Sequence, residues 1–164
     1  MPRWLRPRLT FAAIFFASAG LMAFGYYLQY VEGLEPCPLC MTQRVFIVAA
    51  GLAALAGALL ASRPLARRIT GTLVLLLCLA GSGFSGRHVW LQSLPKEQAP
   101  ACGPSVEYLL DALPVMEALE VLLRGDGNCA EISWTFLGLS IPAWTLLCFL
   151  GMGGVGTWAG WRRV

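Results

Sequence analysis

Residues 9–30 read LTFAAIFFASAGLMAFGYYLQY, 22 residues without a single charge. A helix that crosses a bilayer needs about 20 mostly apolar residues, and this run supplies them. Three further stretches match it: Met41 to Ala61, Ile69 to Val89, and Ile141 to Trp161. Arg44 interrupts the second near its start, and Arg87 and His88 close the third. The runs are continuous rather than alternating, which excludes the strands of a membrane barrel. The predicted fold is an all-α membrane protein, a four-transmembrane-helix bundle forming a single domain over residues 1–164. Its helices are expected at about 9–30, 41–61, 69–89 and 141–161.

Composition agrees with that reading. The chain has 164 residues, of which 57% are hydrophobic and 13% charged, where a soluble domain carries about 25% charged residues. So short a chain could not hide that much apolar surface from water. The same composition excludes disorder. The net charge of +3 is spread thinly, which argues against nucleic-acid binding.

Residues 9–30 also admit a rival reading. Arg3, Arg6 and Arg8 precede an apolar run in which Ala17-Ser18-Ala19 fits a signal-peptidase site. The run continues to Tyr30, however, as in a retained helix.

The connectors predict sidedness. Arg3, Arg6 and Arg8, then Arg63, Arg67 and Arg68, then Arg162 and Arg163 place eight of the twelve basic residues on one side. The positive-inside rule puts that side, with both termini, in the cytoplasm. A short outer loop at about 31–40 and a long one at about 90–140 then face the other compartment. Tyr26, Tyr27, Tyr30, Trp90 and Trp144 mark the outer border, and Trp4, Trp158 and Trp161 the inner one. Within the helices, Gly51, Gly57, Gly81, Ser82, Gly83 and Gly86 are expected to let backbones approach closely.

Topology sorts the six cysteines. Cys37 and Cys40 lie at the mouth of the second helix, Cys102 and Cys129 in the long loop, and Cys78 and Cys148 at mid-membrane. The last two read as small hydrophobes. Four outward cysteines in an oxidising compartment pair. Three connectivities are open, and Cys37–Cys40 with Cys102–Cys129 is the simplest. Cys37-Pro38-Leu39-Cys40 opens a helix, so Cys40 lies near free backbone N–H groups and the positive end of the helix dipole. Arg44 follows one turn later on the same face. Both favour a thiolate. The bland alternative for Arg44 is snorkelling to headgroups. Cys102 and Cys129 are flanked by turns, Pro100 to Pro104 and Gly125 to Asn128, which suit either attack by another protein's thiolate or a structural staple. Between them Val115, Met116, Leu119, Leu122 and Leu123 recur at helical spacing, opposite Glu117, Glu120 and Arg124. That pattern predicts a short amphipathic helix on the membrane surface. His88, the sole histidine, is placed at the depth of Cys40.

Taken together these residues resemble the DsbB family of inner-membrane disulfide-forming oxidoreductases. The resemblance covers essentially the whole chain. Its markers are the four helices, Pro36-Cys37-Pro38-Leu39-Cys40 followed by Arg44, and a cysteine pair in the long second loop. Cys129-Ala130-Glu131, Trp134, Phe136 to Leu139, Pro142 and Trp144 add the family's approach to its last helix. The resemblance implies that a periplasmic DsbA-type thioredoxin-fold oxidase delivers electrons to Cys102–Cys129, with Cys102 forming the mixed disulfide. It implies that Cys129 then engages Cys37 and releases Cys40 towards a membrane quinone, ubiquinone or menaquinone. Arg44 would stabilise negative charge developing on that quinone, and His88 matches a histidine beside it.

Redox magnitudes constrain this picture. The reference couple of the DsbA type lies near about −120 mV, and stable structural disulfides lie below about −300 mV. An ordinary staple would therefore be too weak an oxidant by roughly 8 kcal/mol. Cys102–Cys129 must be labile if it serves such a partner. Two other readings compete. One is a non-enzymatic membrane scaffold with structural disulfides or a metal site; Cys37-x-x-Cys40 supplies half of such a site, but Cys102 and Cys129 lack close spacing. The other is a quinone-linked oxidoreductase resembling vitamin K epoxide reductase, in which the C-x-x-C motif comes late in the chain rather than before the second helix.

Overall fold

The computed structural model describes residues 5–95, 97–98, 100–103, 108 and 111–162. Arg3, Trp4, Pro104 and Arg163, and the side chain of Arg6, lie outside the described residues. Four long helices form the bundle: α1 (Leu5–Tyr30), α2 (Pro38–Leu59), α3 (Pro64–Gln92) and α5 (Ile141–Trp161). All four are long and apolar enough to cross a membrane. A shorter helix, α4 (Val115–Arg124), lies in the connection between α3 and α5.

Three of the long helices, α1, α2 and α3, start earlier than hydropathy suggests, while α5 keeps the expected bounds. α2 starts at Pro38 rather than near residue 41, and α3 covers 64–92 rather than 69–89. Proline in the first turn of α2 and α3 explains their early starts. Its fixed φ suits a helix's opening, where its missing N–H has no intrahelical role.

The core is built from small residues on facing helices. On α3, Gly71, Val74, Cys78 and Gly81 share one face. They meet α5 closely. A Cβ placed on Gly71 would lie 2.8 Å from the Cα of Gly160, and one on Gly81 would strike the ring of Phe149. Gly156 receives Val74, and Gly153 receives Cys78. Cys78 is thus a packed small hydrophobe, 2% exposed. Close backbone approach replaces the hydrophobic drive that lipid does not supply. On the other side of the bundle, Gly51 meets Ser18, and Gly57 meets Thr70 and Phe11. Gly83 and Gly86 correct the expectation drawn from the sequence. A Cβ on either would touch nothing within 4 Å, because both point away from neighbouring helices. At the opposite end from the C-x-x-C motif, buried Arg67 donates to the carbonyls of Gly160 (3.4 Å) and Arg162 (2.8 Å). It thereby satisfies the open C-terminus of α5.

The approach to α5 is a small hairpin. Strands β1 (Thr135–Phe136) and β2 (Leu139–Ser140) pair antiparallel, with Thr135 opposite Ser140. Leu137 and Gly138 both have positive φ, as a tight two-residue turn requires. The Trp144 indole N–H donates to the Phe136 carbonyl at 3.0 Å. Trp134 stacks on Phe136 and meets Phe24 of α1 edge-on. These rings tie the end of the long loop to α1 and α5.

Replacing Gly71 by Leu should force α3 and α5 apart and cost about 1–3 kcal/mol, the usual penalty of overpacking. Gly151→Leu, at a position with no neighbour within 4 Å, should leave stability unchanged. Thermal unfolding in detergent, followed by tryptophan fluorescence, measures both.

Candidate functional site

The head of α2 carries the site. Cys37 is the helix N-cap: its sulfur accepts the Cys40 backbone N–H at 3.4 Å. Pro38 fixes the first turn behind it. The two sulfurs lie 3.1 Å apart, with the Cys37 thiol donating to Cys40. The C-x-x-C motif is therefore part of the helix rather than of the preceding loop.

Three consecutive residues then anchor this turn to three different elements. The Thr42 hydroxyl donates to the Leu122 carbonyl of α4 at 2.8 Å. The Gln43 amide meets His88 Nδ1 of α3 at 3.1 Å. Arg44 turns to α1, donating to Gln29 Oε1 at 2.6 Å and to the Gly25 carbonyl at 3.0 Å, with its guanidinium over the Tyr26 ring. Successive residues on a helix point about 100° apart, which is how three neighbours reach three partners. Arg44 is thus held within the bundle, and simple snorkelling does not describe it. Thr42 and Gln43 escaped the sequence reading, although uncharged polar residues in an otherwise apolar span were the available signal.

The long loop supplies Cys129. Asp126 caps a short 3-10 turn, Gly127–Ala130, by accepting the Asn128 N–H at 3.1 Å. The turn is pressed against α2. Gly125 has φ +75°, and a Cβ there would lie 2.8 Å from Leu39 Cδ1. Gly127 donates to the Ala101 carbonyl, and a Cβ on it would collide with the Pro100 carbonyl oxygen. Residues 101–103 therefore run alongside the Cys129 turn, with Asn128 Nδ2 donating to the Gly103 carbonyl. The two loop cysteines differ sharply in setting. Cys102 is exposed, whereas Cys129 is fully buried with Leu39 and Leu91, against Cys37.

His88 completes the cluster. It is 2% exposed, and its Nε2 lies 3.7 Å from Cys37 Sγ. The reactive atoms of Cys37, His88 and Cys129 all fall within 4.8 Å of one another. The structure thus brings together Cys37, Cys40, Cys129 and His88, sets Arg44 one turn below, and leaves Cys102 at the surface. Cys78 belongs to the mid-bundle packing, and Cys148 is half-buried on α5.

Two loop-side thiols are driven in opposite directions. Cys37 is held well above the ordinary thiol range because its proton is shared with Cys129 and Cys40, and burial adds to this. Cys129 is lowered, chiefly because it accepts from Cys37, with the backbone N–H groups of Leu39 and Asp126 helping against burial. Cys129 is the better thiolate of the two, and it faces Cys37. Amphipathic α4 forms as expected: Ala118 is buried, while Val115, Met116, Leu119 and Leu123 make an exposed apolar stripe.

Comparison with known proteins agrees with these features. The sequence profile of the family described as "Disulfide bond formation protein DsbB" matches residues 7–159. The "Disulfide bond formation protein B" of Hahella chejuensis is 50% identical over 163 residues, covering 99% of each chain. That of Saccharophagus degradans is 47% identical over 156 residues, covering 95% of this chain and 94% of its own. "Disulfide bond formation protein B 1" of Pseudomonas aeruginosa is 46% identical over 144 residues, 88% of each. No solved structure matches the chain.

A lowered thiol keeps its thiolate to lower pH. In the fully reduced protein, alkylation of Cys129 should therefore rise through a midpoint below the about 8.5 of a free thiol. Cys37→Ala removes the main donor and should move that midpoint upward. Iodoacetamide labelling across pH, read by peptide mass spectrometry, measures the shift.

Proposed function

The chain belongs to the DsbB family of disulfide-forming membrane oxidoreductases, and on that premise we propose that it reoxidises a periplasmic DsbA-type thioredoxin-fold oxidase and passes the electrons to a membrane quinone. The observation that carries the reading is the setting of Cys129, buried against Cys37 while Cys102 stands exposed beside it. An exposed sulfur can meet a partner protein. A buried one can hand electrons inward.

The exchange steps balance. The partner's thiolate attacks Cys102 of the Cys102–Cys129 disulfide, forming a mixed disulfide and freeing Cys129. The partner's second thiol resolves that mixed disulfide and leaves oxidised, with Cys102 and Cys129 now reduced. Cys129 attacks Cys37 of the Cys37–Cys40 disulfide; the Cys129–Cys37 bond forms, and Cys40 departs as a thiolate. Cys102 then attacks Cys129, restoring the loop disulfide and leaving Cys37 and Cys40 reduced. The close placement of buried Cys129 against Cys37 supports the third step.

The donor set at the head of α2 fits a quinone. A guanidinium has five N–H donors. Arg44 spends them on Gln29, Gly25 and a long contact to Met41, and the others have no partner among the described residues. Such a half-buried cation one turn from Cys40 suits a carbonyl oxygen that gains negative charge. When bound, ubiquinone or menaquinone supplies the two-electron, two-proton acceptor that restores Cys37–Cys40. Arg44 would hold and orient the ring oxygen, while His88, with Nε2 facing Cys37, would hold or move a proton at the sulfurs. The proposed orientation puts both termini in the cytoplasm and all four exchanging cysteines on the periplasmic side.

Purified protein supplied with reduced DsbA-type partner should reduce quinone. Ser in place of Cys37, Cys40, Cys102 or Cys129 should each abolish turnover, while Cys78→Ser and Cys148→Ser should retain it. Full activity in Cys102→Ser would refute the relay. Arg44→Ala should raise the apparent KM for quinone by about tenfold or more, as loss of a charge-assisted contact does. The coupled assay with each quinone in turn measures all of these.

A further inference from the structure

We propose that Cys37, His88 and Cys129 form a zinc-binding site when the protein is fully reduced. The three groups come from three elements: the N-cap of α2, the outer end of α3, and the 3-10 turn of the long loop. Their ligand atoms lie within 4.8 Å of one another. The C-x-x-C spacing alone points instead to chelation by Cys37 and Cys40.

The distances suit the ion. With Zn–S near 2.3 Å and Zn–N near 2.0 Å, tetrahedral ligands are spaced about 3.6–3.8 Å apart. Cys37 Sγ and His88 Nε2 already stand 3.7 Å apart. The imidazole is also pre-oriented. Its far nitrogen, Nδ1, lies 3.1 Å from Gln43 Nε2, and with the amide turned over Gln43 Oε1 takes that place, the outer acceptor that metal-binding histidines commonly have. Because an amide presents both a donor and an acceptor, Gln43 can accept from Nδ1–H and leave Nε2 free to ligate. His88 and Cys129 are buried and Cys37 is part-buried, so a bound ion would be shielded from water.

Binding involves no electron transfer. Zn2+ replaces the protons of the two thiols, which pass to water, and takes the lone pair of Nε2. The site exists in one redox state only, since a disulfide through either cysteine removes a ligand. A zinc-loaded chain could not exchange at Cys37 or Cys129 and would be held out of turnover. That consequence rests on the relay proposed above, whereas the binding itself rests on geometry alone.

The test uses the full-length protein in detergent, reduced with a phosphine, and Zn2+ in competition with a chromophoric chelator. The reduced chain should retain one Zn2+, and the oxidised chain none. His88→Ala and Cys129→Ser should each weaken retention by more than about tenfold, and His88→Cys should recover it. Cys40→Ser and Cys102→Ser should stay within about threefold of the unaltered chain. The site is disproved if the reduced chain holds no Zn2+, or if retention survives His88→Ala or Cys129→Ser. It is equally disproved if retention is lost in Cys40→Ser, the mark of simple chelation by the C-x-x-C pair, or in Cys102→Ser. The comparison of redox states needs no variant, and no readout depends on turnover, so failure of the relay and failure of the site are distinguishable.

Discussion

A polar side chain in hydrocarbon must find a protein partner or carry its desolvation cost unrelieved. Thr42, Gln43 and Arg44 face that demand side by side, at the top of a helix that otherwise consists of apolar and small residues. Each resolves it with a different neighbour: α4, α3 and α1. The turn bearing Cys37 and Cys40 is consequently fixed from three directions. Removing any one of these anchors would leave a buried polar group unpaired, which costs about 1–3 kcal/mol, and would also loosen the cysteines. Stability of the bundle head and placement of the reactive sulfurs share one set of contacts.

The long loop is held by a different kind of interaction. Glycines at 125 and 127 let backbone approach backbone and side chain more closely than any Cβ would allow. Asp126 and Asn128 knit the turn to residues 101–103. The result is a graded path from water to bundle, in which an exposed sulfur, a buried sulfur and the C-x-x-C pair follow in order of depth.

Hydropathy made the architecture legible. Four apolar runs of the right length left little freedom, and the helices were misjudged only at their ends, as where proline opens α2 and α3 ahead of the apolar boundary. The C-x-x-C motif and the amphipathic pattern of α4 were readable for the same reason: both are local. What could not be read is long-range. The Gln43–His88 contact spans 45 positions, and the Thr42–Leu122 contact spans 80. No local pattern marks Gly71 and Gly160 as a close backbone seam, nor Gly83 and Gly86 as outward-facing. The burial of Cys129 against α2, rather than in an exposed turn, belongs to the same class.

Gln43 is neutral, and its side chain has two faces. Rotated by half a turn, the amide offers an oxygen where it had offered an N–H. Whichever nitrogen of the imidazole carries hydrogen, the pairing survives. A carboxylate in that seat would reward one tautomer and penalise the other. The ring can therefore trade its hydrogen between the sulfur side and the amide side without leaving an orphaned group in a water-poor niche, and reversible thiol chemistry can proceed there with the surrounding scaffold standing still.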